Sequence, residues 1–137
     1  MNTPLAKVLG IVPKSQLSAA QAEHLRVRLS APIHAEDFGP ARVWDYYDIG
    51  LYAVIDLGTG TPVGIVEASG ANTAINPSVW LDQQFRGQHY GSALIDVLAE
   101  YLKAHGVTGV VGKITIRGPY PAQSANLARR FQAHFPK

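Results

Sequence analysis

The sequence has no cysteine among its 137 residues. Disulfide frameworks, thiolate zinc sites and cysteine nucleophiles are therefore excluded. Charge is also scarce, at 16% of residues, and the formal net charge is only +2. A surplus that small argues against nucleic acid as the principal partner. No apolar run approaches the roughly 18 residues that a membrane-spanning helix requires. The apolar stretch Met1–Val12 is broken by Lys7 and Gly10, has no basic lead and is closed by Pro13. It does not read as a secretory signal, so a cytoplasmic protein is expected. His24, His34, His89, His105 and His134 include no pair at metal-ligand spacing on one helix face, so no metal is expected. No Ser-His-Asp arrangement can be argued from the spacing. Neither G-x-x-x-x-G-K-[ST] nor G-x-G-x-x-G occurs, which removes the nucleoside triphosphatase and Rossmann readings.

What is present is apolar material. At 47% of a chain this long, it can build one core without covalent staples. No repeat or low-complexity linker divides the chain, so residues 1–137 read as a single domain. Leu5–Val12 is short, apolar and β-branched, a first strand. Ser18-Ala19-Ala20-Gln21 has the form of a capping box, and the helix it opens runs through Leu29. Tyr46–Asp56 and Thr61–Ser69 read as strands joined by Leu57-Gly58-Thr59-Gly60, a hairpin. Gly70-Ala71-Asn72 reads as a turn, and Thr73–Leu81 as a strand interrupted at Asn76-Pro77 by a bulge or edge. Ser92–His105 is the clearest helix, with Leu94, Leu98, Tyr101 and Leu102 on one stripe and Gly106 at its stop. Val107–Ile116 follows as a β-branched strand, and Ala122–His134 as the last helix. The expected fold class is α/β, a mixed sheet with helices on both faces.

The chemistry is concentrated between Val79 and Leu94. A strand runs into a loop with two glycines, and the loop opens onto the strongest helix. The first N–H groups of a helix lack internal partners, and the macrodipole makes that end partly positive. Glycine allows the backbone close to a ligand. Arg86 adds a fixed charge with forked donors. These features together propose a phosphate or pyrophosphate site over Arg86–Ser92. A plain turn in which Gly87 and Gly91 merely satisfy sterics is the competing reading.

Leu-Asp-Gln-Gln-Phe-Arg-Gly-Gln-His-Tyr-Gly-Ser-Ala-Leu, from Leu81 to Leu94, resembles the acetyl-CoA signature of the GNAT superfamily of N-acetyltransferases. That signature commonly reads V-D-P-x-Y-R-G-x-G-I-G-S-A-L before an amphipathic helix. The match departs from it at His89, where glycine is usual, and at Gln83, where proline is frequent. The helix around Ala125–Phe131 is similar to the family's N-x-x-A-x-x-x-Y helix.

The resemblance implies a GNAT-like acyl-CoA N-acyltransferase fold and acetyl-CoA as cosubstrate. It implies that the motif strand splays from the next one, leaving a gap between Val79–Asp82 and Val110–Thr115 for the pantetheine arm. Val79 and Leu81 then supply backbone partners to pantetheine. Arg86, Gly87, Gln88, His89, Tyr90, Gly91 and Ser92 cradle the pyrophosphate. Asn126 contacts the cofactor from the last helix, or serves as a cap or surface residue. The reaction implied is attack of an amine on the thioester, which needs a base, a polarised carbonyl and a proton for the thiolate. Glu67 and Asp82 are the candidate bases, each with the alternative of a solvated strand-end charge. Arg130 or Phe131 falls where relatives place a tyrosine, and neither is a general acid near neutral pH. Tyr120 and Ser124 are the remaining donors.

Relatives usually carry two further strands after the last helix, whereas this sequence stops at Lys137. The strand at Val107–Ile116 then has an open edge, and edges are covered or paired. A homodimer burying that edge is expected. His34-Ala35-Glu36-Asp37 reads as acceptor entrance or solvated loop, and Trp44-Asp45-Tyr46-Tyr47 as acceptor pocket or core. Arg26, Arg28, Arg129 and Arg130 read as solvated helix faces. The leading functional reading is an N-acetyltransferase acting on a primary amine of a small molecule or protein. A catalytically degenerate cofactor-binding or interaction module is the alternative. An RNA-directed acetyltransferase of the toxin type is a third, for which no basic face stands out.

Overall fold

A computed structural model of the protein describes residues 8–31, 44, 50–68, 70, 71, 74, 75, 77–86, 90–110, 114–117 and 121–135. Strand β1 is Leu9–Pro13, helix α1 Ala19–Leu29, and β2 and β3 are Leu51–Asp56 and Thr61–Glu67. Then come β4 (Gly70–Ala71), β5 (Ala74–Ile75), β6 (Ser78–Leu81) and helix α2 (Tyr90–Ala104). Strands β7 (Gly109–Val110) and β8 (Thr115–Arg117) precede helix α3 (Pro121–Ala133). The main sheet has the order β1-β2-β3-β6-β8, antiparallel until β8, which runs parallel to β6. A second, three-stranded sheet has the order β4-β5-β7.

Local signals explain the element ends. The Ser18 hydroxyl accepts from the Gln21 N–H at 3.1 Å, and the Gln21 side chain accepts from the Ser18 N–H at 3.2 Å. This reciprocal pair satisfies two orphan donors at the start of α1. At the end of α2, the Val107 N–H reaches the Leu102 carbonyl and the Gly106 N–H reaches that of Lys103. Gly106 has φ +88°, the left-handed conformation that this helix stop demands.

Three strand readings change. Gly70–Ala71 is not a turn but a strand pairing with Ala74–Ile75. Thr73–Leu81 is not one bulged strand, because its halves join different sheets on either side of Asn76-Pro77. Val107–Ile116 divides in the same way: β7 pairs with β5 and β8 with β6. Proline interrupts a ladder by lacking a donor, and here the break redirects two neighbouring strands together. Among the described residues, β8 is the outer strand of the main sheet, the edge on which the expected homodimer rests.

Alternation along the strands fills both faces of the sheet. On one face Val54, Val66 and Val79 meet Leu94, Ile95 and Leu98 of α2 and Phe131 of α3. On the other, Ala53, Ile55, Ile65 and Trp80 meet Leu25 and Leu29 of α1. Trp44 is buried in this second cluster, so it packs as core, whereas residues 45–47 lie outside the described ones.

Helices α2 and α3 are also clamped by charge. The Arg130 guanidinium donates twice to Asp96, at 2.9 and 2.6 Å, and His134 meets the same carboxylate at 2.9 Å. Arg130, with a further contribution from His134, holds the Asp96 carboxyl down to about 2. A depressed carboxyl stabilises the fold fully above its unfolded value near 3.8, and that share fades as pH falls through about 2. Because Asp96 is 39% exposed, screening reduces the share to roughly 1 kcal/mol. Asp96→Asn is expected to lose about that much at neutral pH, and to flatten the acid limb of stability between the two values. Urea unfolding across that range checks this; parallel curves for both proteins would refute it.

Candidate functional site

A cavity of about 550 Å3 lies where β6, β8, α2 and α3 converge. Its volume is that of a small-molecule site. Val79 and Leu81 contribute from β6, and Ile116 and Arg117 from β8. Gly91, Leu94 and Ile95 line it from α2, and Gln123, Ser124, Asn126 and Leu127 from α3. Gln83 and Arg86 complete it from the segment between β6 and α2. Aliphatic residues from β6, β8, α2 and α3 share the lining with the polar Gln83, Gln123, Ser124 and Asn126 and with two arginines, Arg86 and Arg117.

The geometry follows from parallel pairing. Ser78, Val79 and Trp80 are in register with Thr115, Ile116 and Arg117. The gap expected between Val79–Asp82 and Val110–Thr115 is therefore displaced. The two strands run paired as far as Trp80 and Arg117, and Leu81 has its register partner in Gly64 of β3. Space opens beyond that point, at the carboxyl ends of the two parallel strands, where open α/β sheets take ligands.

Beyond Leu81, a short 3-10 turn at Gln83–Phe85 is capped by Asp82, whose carboxylate accepts the Gln84 N–H at 3.2 Å. Arg86 is half-buried, and its Nε donates to the Leu81 carbonyl at 3.0 Å. That bond folds the guanidinium back over the strand end, beside the start of α2. Gly87, Gln88 and His89 lie outside the described residues, as do Tyr120 and the loop His34–Asp37. Tyr90 begins α2 with its side chain buried, and it does not line the cavity. Gly91 permits close packing of α3: a Cβ there would lie 3.2 Å from Leu127. Ser92 is half-buried in the same first turn. Asn126 lines the cavity from the exposed side and accepts a hydrogen bond from Arg129.

The candidate bases separate clearly. Asp82 is 1% exposed and is not a solvated strand-end charge. Its oxygens accept Nε and Nη2 of Arg28 at 2.7 and 2.8 Å, and the backbone and side chain of Gln84 at 3.2 Å each. Four hydrogen bonds fill the roughly four acceptor positions of a carboxylate, which leaves none for a substrate proton. Arg28 is accordingly no solvated helix-face residue, and the Asp82 hydrogen bond raises the pKa of its guanidinium. Glu67 ends β3, half-buried, in register with Ser78. Counting three residues from Ser78 to Leu81 puts it roughly 10 Å along the sheet from the cavity's strand end. Alternation from Ile65 directs it to the α1 face, opposite the cavity.

Arg130 is engaged with Asp96, and Phe131 is buried in the core, so neither reaches the cavity. Ser124 does line it. Gln83, Arg117 and Gln123 also line it, although none of them belongs to the set that the motif implies. Arg117 donates from Nε to the Ser78 hydroxyl at 2.7 Å, bridging β8 to β6. Its one sequence signal is its place as the last residue of an apolar strand, the end at which α/β ligands collect. Among the described residues no group of three or more His, Asp or Glu side chains could hold a metal ion. Nor, among them, is any helix long and apolar enough to cross a membrane.

Comparison with known proteins agrees with this arrangement. Among solved structures, an acetyltransferase of the GNAT family from Bacillus anthracis superposes with a TM-score of 0.65 at 13% identity, covering 93% of this chain and 80% of that one. An acetyltransferase from Agrobacterium tumefaciens gives 0.57 at 15% identity, covering 96% and 85%. A ribosomal-protein-alanine N-acetyltransferase from Brucella melitensis biovar Abortus gives 0.55 at 16%, covering 90% and 89%. Identities this low speak to the fold alone. Comparison with curated protein sequences gives no match. The family model for GNAT acetyltransferases matches residues 22–130, most of the chain. With fold, cavity and family model in agreement, the chain belongs to the acetyltransferase (GNAT) family.

Proposed function

We propose that the protein transfers an acetyl group from acetyl-CoA to a primary amine of a small molecule or a protein. The observation that carries this reading is the cavity itself. It joins an aliphatic trough along β6 and β8 to the first turn of α2, with Arg86 at the junction. The trough suits a pantetheine arm, with the Leu81 backbone at its open end; Val79 lines it, but its backbone is in ladder register with Val66 and Ile116 and is no partner for the arm. The helix start and the guanidinium suit a pyrophosphate. Tyr90, Gly91 and Ser92 offer backbone N–H groups there, Gly87, Gln88 and His89 are assigned to the same cradle, and Asn126 stands on the α3 side.

In the transfer, the neutral amine attacks the thioester carbonyl. A carbon–nitrogen bond forms, the carbon–sulfur bond breaks, and the amine's proton passes to a base. The amine approaches from the α1 face of the sheet, where Glu67 takes its proton through water, and Tyr120 or Ser124 returns a proton to the thiolate. Backbone N–H near Leu81 polarises the carbonyl.

One observation favours a second reading. No tyrosine lines the cavity among the described residues. A degenerate module would bind the cofactor without turnover. Calorimetric titration with acetyl-CoA and CoA tests the first requirement. Arg86→Ala is expected to weaken binding about tenfold, the loss of one charged phosphate contact. No binding by the wild-type chain would refute the acetyl-CoA reading. Binding without turnover on a panel of amines would favour the degenerate module.

A further inference from the structure

Tyr90 holds a position where the family signature has isoleucine. An aliphatic side chain packs there but donates nothing, whereas Tyr90 is buried and bonded. Its phenol donates to Asp56 Oδ2 at 2.8 Å. Asp56 closes β2, and the hairpin turn holds it in place. Its Oδ1 accepts the Gly58 N–H at 2.9 Å, and its backbone carbonyl accepts the Gly60 N–H at 2.7 Å. The bond thus ties the first residue of α2 to a rigid corner of the main sheet, 34 residues away in sequence.

The other side of the loop is tied at the same spot. Phe85, the last residue of the 3-10 turn, meets the Tyr90 ring edge-on with centroids 5.1 Å apart. The two residues that flank 86–89 therefore grip each other, and Asp56 grips the pair. The hydrogen bond to Asp56, followed by burial, pushes the Tyr90 phenol pKa up, so it remains a donor throughout the physiological range.

We infer that the Tyr90–Asp56 bond is a positioning device that holds the start of α2 in place for the phosphates of the cofactor. The inference rests on the acetyl-CoA reading. Helix N–H groups bind an anion well only when they already point at it, and a fraying first turn would have to be ordered at the expense of affinity. Tyr90 and Asp56 are positioning residues, not catalytic ones.

Amide hydrogen exchange and CoA calorimetry, applied to wild type, Tyr90→Phe, Asp56→Ala and Asp56→Asn, test this. Exchange is read at Leu94, Ile95 and Asp96, whose N–H groups bond back to the first turn of α2. Tyr90→Phe is expected to speed exchange at those amides with β2 and β3 unchanged, and Asp56→Ala to speed it there and also at the β2–β3 turn, where the Gly58 N–H loses its acceptor. They are also expected to weaken CoA binding about fivefold, the worth of one hydrogen bond. Asp56→Asn keeps an oxygen for the Gly58 N–H and turns its NH2 to the Tyr90 hydroxyl, which then accepts, so the tie persists in the reverse sense and CoA should bind within about twofold of wild type. Uniformly faster exchange with unchanged CoA affinity would mean a merely structural bond and would overturn the inference. Should the wild-type chain bind no CoA, the acetyl-CoA reading falls, and the exchange pattern decides the anchor by itself: no local change at Leu94–Asp96 overturns it.

Discussion

Replacing Arg28 with alanine is expected to destabilise the protein by about 3 to 5 kcal/mol, the largest loss from any single ion pair among the described residues. Asp82 is the reason. Its side chain is 2% exposed, and Arg28 is its charged partner, bound through both forks of the guanidinium. Removing the arginine leaves a buried carboxylate without this cation. The effect also has a direction in space. Asp82 caps the turn that leads from β6 towards α2, so the pair anchors α1 beside the cavity. The melting temperature should drop by roughly 10 °C or more for a domain of this size. Arg28→Lys should recover only part, because an ammonium cannot reproduce the two-pronged contact. The double variant Arg28→Met, Asp82→Leu should recover most of the loss, less the share due to the Gln84 cap. Chemical unfolding of the four proteins measures all of this. A loss below about 1 kcal/mol for Arg28→Ala would show the pair to be no stronger than a surface one.

Gly64→Ala is the second substitution with a large expected effect. Gly64 sits in β3 opposite Leu81, and a Cβ there would lie 2.2 Å from the Trp80 carbonyl oxygen and 3.3 Å from the Leu81 Cα. Both obstacles are backbone, so no rotamer change relieves them. Gly64 is not one of the glycines with positive φ, so the site demands room and not an unusual conformation. Strands β3 and β6 must part to admit one methyl group. That costs about 3 kcal/mol or more, at the top of the range for overpacking. Strand β6 carries Val79 and Leu81 into the cavity, so the same shift should weaken acetyl-CoA binding in whatever protein remains folded. Thermal unfolding and calorimetry of the variant report the two effects separately. Wild-type stability would mean that the strands are more loosely coupled than their register implies.

Part of this architecture is legible in the amino-acid sequence alone. The capping box at Ser18 and Gln21, the hairpin corner at 57–60 and the glycine stop at Gly106 each depend on residues within a few positions of one another. Local rules of that kind can be read from a one-dimensional pattern. The motif from Leu81 to Leu94 is equally local, and it points to the same family that the family model matches. The reading of Thr73–Leu81 as a single strand fails for the converse reason. Where a strand finds its partner depends on chain far away, and β5 and β6 pair with different strands on either side of Pro77. A proline announces a break without saying where each half goes.

The site divides along the same line. From the sequence by itself come the motif, the helix that follows it, and the charge of Arg86, because the proposed phosphate cradle is a run of consecutive residues. Only the tertiary structure decided that Asp82 is spent on Arg28, 54 residues away, and that Arg117 reaches the cavity. Only it decided that Tyr90 answers to Asp56 and that Gly64 keeps two strands in contact. Those outcomes are set by burial and by long-range pairing. The free energy of a side chain there belongs to neighbours that no short window of sequence contains.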